Sequence, residues 1–105
     1  MQDMWLKDYQ VRIYEVDQVG NVPLAKLLNF YQDAATEHAD HMGVGLSRLK
    51  EAGMSWFITR IHVKMERYPR YGDIVMVRTW PRGRKRLFAY RDFEFAIGER
   101  VIGRG

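Results

Sequence analysis

The spacing of apolar positions changes along the chain, and each change marks an element. Residues 9 to 16 place Tyr9, Val11 and Ile13 on one side and Gln10, Arg12 and Tyr14 on the other, the period of two that predicts a half-buried first strand. Asp17-Gln18-Val19-Gly20-Asn21 breaks the alternation. Gly20 accepts positive φ and Asn21 suits an N-cap, so a helix is expected to start near Val22. Leu24, Leu27, Leu28, Tyr31, Ala34, Ala35, His38, Ala39 and Met42 then recur three and four apart, an apolar stripe lasting about five helical turns. Pro23 fits the first turn, where its missing N–H has no helical acceptor, and Gly43 with Gly45 provides the stop. Residues 46 to 52 read as a short second helix closed by Gly53.

Beyond Gly53 the period returns to two. Residues 54 to 66 carry Phe57, Thr59, Ile61, Val63 and Met65 on one face; the other begins apolar with Trp56 and Ile58 and turns polar at Arg60, His62 and Lys64. Tyr68 to Asp73 has turn chemistry, Ile74 to Trp80 is a strand rich in β-branched residues, Pro81 to Lys85 is a second turn, and Leu87 to Ile97 alternates again. One helix with so broad a stripe needs a partner large enough to cover it. The predicted class is therefore α+β, a long central α-helix wrapped by a curved antiparallel β-sheet, in a single domain over residues 1 to 105. Val101-Ile102-Gly103-Arg104-Gly105 starts a further strand with no length left, so the last strand is expected to be truncated or completed by another chain.

Composition narrows the chemistry. A chain of 105 residues and 12.5 kDa supports one core. Its 47% hydrophobic and 29% charged content excludes disorder as the main state. No apolar run approaches the roughly 20 residues of a membrane span, and the first residues lack a signal peptide's basic start and apolar stretch, so the expected location is the cytoplasm. The absence of cysteine removes disulfides, thiolate ligands and cysteine nucleophiles. Residues 1 to 53 hold 5 basic and 8 acidic side chains, whereas residues 54 to 105 hold 12 basic and 5 acidic; the second half is a positive surface suited to an anionic partner.

A strand, an Asp-containing loop, a long helix and a meander of strands is the hotdog layout, and particular segments narrow it. They are residues Tyr14 to Asn21 (YEVDQVGN), Leu27 to Ala39 (LLNFYQDAATEHA), Gly53 to Arg60 (GMSWFITR), Arg67 to Asp73 (RYPRYGD), Thr79-Trp80-Pro81 and Tyr90 to Glu94 (YRDFE). In this order they resemble the acyl-ACP thioesterase family over nearly the whole chain. The resemblance implies hydrolysis of the thioester joining a fatty acyl chain to the phosphopantetheine arm of acyl carrier protein, releasing free fatty acid in fatty acid biosynthesis. It also implies two hotdog units in tandem, of which this chain is similar to the N-terminal one, with the main catalytic groups in the second unit and the acyl pocket shaped by the first. The loop here reads Asp17-Gln18-Val19-Gly20-Asn21-Val22, without the His-Val-Asn-Asn run of the catalytic version. This unit is therefore expected to act only when paired with a second one. No cofactor is implied.

The same resemblance places candidate catalytic carboxylates at Asp17, before the helix, and Glu37, on it; such a group serves as base for a water or as nucleophile. Read from their surroundings alone, Asp17 is also ordinary turn chemistry and Glu37 a solvated helix residue. His38 falls on the apolar stripe, either as a base or as a core histidine bonded to a carbonyl, and burial favours the neutral form in both roles. Glu37, His38, Asp40 and His41 invite a metal reading, but one long helix cannot supply the several ligand motifs of a metal bundle, and no metal is expected. Substrate-binding candidates are Asn21 and the tunnel residues Leu27, Phe30, Tyr31, Met54, Trp56 and Ile58, where each buried acyl methylene contributes roughly 0.8 kcal/mol; any of the tunnel six is equally at home in a core.

Arg82, Arg84, Lys85 and Arg86, with Arg67, Arg70 and Arg91 elsewhere, form the basic signal. They suit acidic acyl carrier protein or the phosphates of coenzyme A, or mark a solvated hairpin tip. Tyr68, Tyr71 and Trp80 raise nucleic-acid stacking, yet no recognised motif accompanies them, and neither nucleic acid nor membrane is an expected partner. Other readings are a non-catalytic acyl or carrier-protein binding module, and a self-associating hotdog acyl-CoA thioesterase or dehydratase using Asp17 and Glu37.

Overall fold

The computed structural model describes residues 4–42, 61–85 and 88–105, and of residues 84, 85, 88 and 89 the backbone only. Its elements are β1 (Trp5–Gln10), a 3-10 turn (Ile13–Glu15), α1 (Leu24–His41), β2 (Lys64–Met65), β3 (Ile74–Lys85), β4 (Phe88–Ile97) and β5 (Arg100–Arg104). The strands form one sheet in the order β1-β3-β4-β5-β2, and every pairing is antiparallel. The helix lies on one face of this sheet, as the apolar stripe requires.

Period-2 side-chain placement explains which residues meet it. Val75, Val77 and Thr79 of β3, Phe93 and Phe95 of β4 and Ile102 of β5 are buried, against Leu27, Phe30, Tyr31 and Ala34 of α1. The packing leaves little room at Gly103 in β5: a Cβ there would meet Sδ of Met65 on the neighbouring β2, and the end of that flexible side chain would have to move.

Four boundaries differ from the sequence expectation. The first strand occupies Trp5–Gln10 rather than residues 9 to 16, because its ladder with β3 ends at Gln10↔Ile74. Past that pair the chain has no partner strand among the described residues; Val11 donates its N–H to the Asp73 carbonyl at 2.9 Å and the backbone turns. Ile13 consequently stands 67% exposed instead of packing beside Tyr9 and Val11. The helix begins at Leu24 with Pro23 in the extended N-cap position, since Val22 is pinned by its N–H to the Pro69 carbonyl at 2.8 Å, and Asn21 is not the cap.

The expected turn over Pro81 to Lys85 is strand. β3 runs to Lys85, with a register shift between Pro81 and Gly83. A bulge accommodates proline within a sheet, and Gly83 has φ 141, a value that favours glycine. Because β1 pairs with β3 only as far as Trp5↔Thr79, the β3–β4 hairpin projects beyond β1 as a two-stranded arm. The expected helix stop at Gly43 and Gly45, the short helix over 46 to 52 and the strand over 54 to 60 lie outside the described residues. Of the strand expected over 54 to 66, the described part is strand only at Lys64–Met65, the two residues that pair with β5; Val63 and Met65 of its one face pack against the core, whereas Ile61 is exposed.

Candidate functional site

The inner face of β1 offers Trp5, Lys7 and Tyr9 to the helix, and α1 presents Asp33 and Glu37 one turn apart. Lys7 Nζ pairs with Asp33 Oδ2 at 3.0 Å and with Glu37 Oε2. The Tyr9 hydroxyl donates to Asp33 Oδ2 at 2.5 Å while its ring stacks on Phe30. The Tyr9 hydroxyl bond, aided by Lys7, holds Asp33 below the usual carboxylate range. The same carboxylates, Glu37 first, push the Lys7 ammonium up, and burial followed by the Asp33 bond pushes the Tyr9 hydroxyl up. Glu37 is thus an ion-paired member of a network, with 40% of its side-chain surface still open to water.

One residue further, His38 is fully buried. Arg91 NH1 lies 2.9 Å from His38 Nδ1 and 3.3 Å from Thr79 Oγ1, and the Thr79 hydroxyl donates to the Asp92 carbonyl at 2.9 Å. A guanidinium has only donors, so Nδ1 accepts and the imidazole bonded this way is neutral with its proton on Nε2. The Trp5 ring stacks on His38 at 5.4 Å and tilts against His41 at 5.1 Å. Burial pushes the Arg91 guanidinium down, partly offset by Tyr31. His38 thus stands buried on the helix face, with Arg91 bonded to its Nδ1.

Asp17 is built into the loop before the helix. Its Oδ1 accepts N–H bonds from Val19 and Asn21, both at 3.0 Å, and its backbone N–H donates to the Asn21 carbonyl at 2.8 Å. Asn21 Oδ1 accepts from Arg70 NH1 at 2.9 Å, and Arg70 NH2 donates to the Val19 carbonyl at 3.0 Å. Gly20, at φ 86, lies under this guanidinium: a Cβ there would come within 3.0 Å of Arg70 NH2. Asp17 sits beyond the N-terminal end of α1 and Glu37 near its C-terminal end. At about 1.5 Å per residue, the helix alone carries Glu37 roughly 20 Å from its first turn. The structure therefore does not bring the two carboxylates together within one unit.

Of the acyl-wall candidates, Leu27, Phe30 and Tyr31 are in the core, with Tyr31 stacked on Phe93 at 4.1 Å; Met54, Trp56 and Ile58 lie outside the described residues. The lining of a surface depression at Asp8, Asp73, Ile74, Met76 and Ile97 includes none of Leu27, Phe30 and Tyr31. In the projecting arm, Arg82 is exposed, pairs with Asp92 at 3.1 Å and lies over the Tyr90 ring at 5.5 Å. Arg84 and Lys85 follow it at the end of β3, and Arg86 is outside the described residues. Among the described residues no group of three potential ligands could hold a metal ion, and no helix is long and apolar enough to cross a membrane.

Lys7, Asp33, Trp5 and Arg91 were not singled out as site residues from sequence, Arg91 having been noted only as part of the basic surface. A signal existed for the first two: Trp5, Lys7 and Tyr9 alternate, and Asp33 precedes Glu37 by four positions. For Arg91 the alternation was also a signal: it stands two positions before Phe93 in β4, on the same face, and opposite Pro81 in register.

Comparison with known proteins places this architecture. The family model described as the acyl-ACP thioesterase N-terminal domain matches residues 2–103. The chain is 31% identical over 97 residues to a chloroplastic dodecanoyl-[acyl-carrier-protein] hydrolase of Cinnamomum camphora, covering 82% of this chain and 25% of that protein. It is 29% identical over 103 residues to a chloroplastic oleoyl-acyl carrier protein thioesterase of Coriandrum sativum, covering 90% and 28%. The chain thus spans about a quarter of the length of these curated relatives. The crystal structure of an acyl-ACP thioesterase from Bacteroides thetaiotaomicron superposes with a TM-score of 0.91 at 24% identity, over 97% of this chain and 42% of that one, which establishes the hotdog fold. With the match running from residue 2 to residue 103, this chain belongs to the acyl-ACP thioesterase N-terminal domain family.

Proposed function

We propose that the chain is the N-terminal hotdog unit of a thiolester hydrolase that releases fatty acids from acyl carrier protein in the cytoplasm, and that it binds and orients the acyl thioester while a second hotdog unit, in the same chain or by self-association, supplies the main catalytic groups. The observation that carries this reading is the family match over residues 2–103. The division of labour is supported by the state of the three candidate groups. Asp17 is engaged by loop N–H groups, Glu37 by Lys7, and His38 by Arg91 inside the core.

In this reading the arm carrying Arg82, Arg84 and Lys85 meets the acidic carrier, with coenzyme A phosphates as the alternative anion. Thiol release from lauroyl- and oleoyl-acyl carrier protein by the full-length protein is the test. Release is expected, and its absence with both substrates overturns the enzyme reading. If binding of the acylated carrier persists without release, the protein is the non-catalytic module instead. Carrier affinity should fall with added salt and with Arg82→Ala plus Lys85→Ala. An affinity indifferent to both removes the arm from docking.

A further inference from the structure

The face of the sheet turned away from α1 carries opposite charge at its two ends. Alternation with the buried Val75, Val77 and Thr79 sends Leu6 and Asp8 of β1, and Ile74, Met76, Arg78 and Trp80 of β3, to this side. Leu6 and Ile74 are both more than half exposed. At the start of β3 lies the depression that Asp8 and Asp73 line together with Ile74, Met76 and Ile97, about 540 Å³ in volume. Asp8 is exposed and has no partner among the described residues. The Asp73 carboxylate accepts a backbone N–H from Arg70 at 2.8 Å, and the exposed Glu99 follows Gly98 at the rim.

The other end is basic. Arg82 stands on the same outer face, because its guanidinium pairs with Asp92, the residue opposite Trp80, and lies over the ring of Tyr90 in β4. Arg84 and Lys85 close the strand. Met76, which faces Asp8 in register, is separated from Arg82 by about 20 Å of extended chain. A strand fixed in a sheet does not fold back, so the two ends of one copy never meet.

A second copy laid antiparallel on this face brings them together twice. With a two-fold axis lying between the two sheets and crossing β3 near Thr79, Asp8 and Met76 of each copy come opposite Arg82 of the other, and the depression receives the end of the arm. The same axis sets Arg78, already neutralised by Glu94 at 3.2 Å, against the Trp80 ring of the other copy, a cation–π arrangement, and covers Leu6 and Ile74. We propose that the outer face of β1 and β3 is a self-association surface on which two copies pair antiparallel, the basic arm of each seated in the acidic depression of the other. A contact that uses the same patch on both copies closes on itself, so assembly through it stops at the dimer.

Sedimentation of the full-length protein from micromolar to submillimolar concentration is the test. A dimer is expected, and it should weaken as salt is added. Asp8→Arg and Arg82→Asp each set like charges against one another at both contact points and should each weaken the dimer about tenfold or more. The two variants combined in equal amounts should associate as tightly as the native protein, since both contact points between unlike copies then join opposite charges. Where circular dichroism shows that a reversal prevents folding, Asp8→Asn or Arg82→Gln takes its place and should still weaken the dimer severalfold. A chain that stays monomeric throughout, a dimer indifferent to both substitutions, or a combination no tighter than its components overturns the proposal. The pairing stands apart from the thioesterase reading: a dimer that obeys these rules without hydrolysing thioesters keeps the pairing and removes the enzyme, and hydrolysis by a strictly monomeric protein does the reverse.

Discussion

Lys7 and Glu37 meet although 30 positions separate them in the chain, and with Asp33 they tie β1 to the second half of α1. Asp33 sits below its ordinary 3.8, so its contribution to stability is full above that value and is lost as pH falls through the lowered one. Lys7 is raised above 10.5, so its contribution is full below 10.5 and fades as pH rises through the raised value. Both side chains are partly open to water, 34% for Lys7 and 52% for Asp33, and solvent screening keeps each contribution at or below about 1 kcal/mol. Urea midpoints between pH 7 and pH 2 should fall less steeply for Asp33→Asn than for the native chain. Parallel curves would show that Asp33 carries no linkage.

Arg91 dictates the tautomer of His38. The nitrogen spectrum of the native protein should show Nδ1 unprotonated and Nε2 carrying hydrogen; the opposite pattern would mean that the 2.9 Å contact is not a hydrogen bond from Arg91. His38→Leu leaves the guanidinium with one acceptor fewer, at a cost of about 1–3 kcal/mol. At roughly 4–8 °C per kcal/mol for a domain of this size, thermal denaturation resolves the change.

Gly103→Ala inserts a methyl where the flexible end of Met65 already sits, so the overpacking should cost about 1 kcal/mol, the low end for such changes. Met65→Ala in the same chain removes the obstacle. The double variant should therefore regain much of the loss caused by Gly103→Ala, measured against Met65→Ala alone. Additive losses in a double-mutant cycle would place the strain elsewhere.

Asp17→Asn preserves an oxygen acceptor for the Val19 and Asn21 N–H groups, whereas Asp17→Ala removes it. Denaturant unfolding should find the asparagine variant close to native and the alanine variant about 1 kcal/mol less stable. Thioester turnover by the full-length protein should track stability, unchanged in Asp17→Asn. A large loss of turnover in Asp17→Asn with native stability would restore this carboxylate to the chemistry.

Patterning made the architecture legible because both periods are strong. The stripe from Leu27 to His38 and the runs Val75-Val77-Thr79 and Phe93-Phe95 each bury one face. What patterning missed were the ends. Alternation continues through Ile13 whether or not a neighbouring strand remains to pair with it, and Pro81-Arg82-Gly83 has the composition of a turn while serving as a bulge. The candidate site was legible at Glu37 and His38, which stand on the helix where their spacing put them. Their partners were not, because Lys7 and Arg91 reach them from strands distant in sequence. Phe30, outside the apolar stripe, is buried because Tyr9 supplies a ring for it to lie against.

The span of α1 between the Asp17 loop and Glu37 has a stoichiometric corollary. If one thioester needs both carboxylates, they must be donated by different copies, set head to tail. Two preparations, one inactivated at Asp17 and the other at Glu37, would then each be silent yet would rescue one another on mixing and reassociation, because some of the mixed pairs would contain one intact junction.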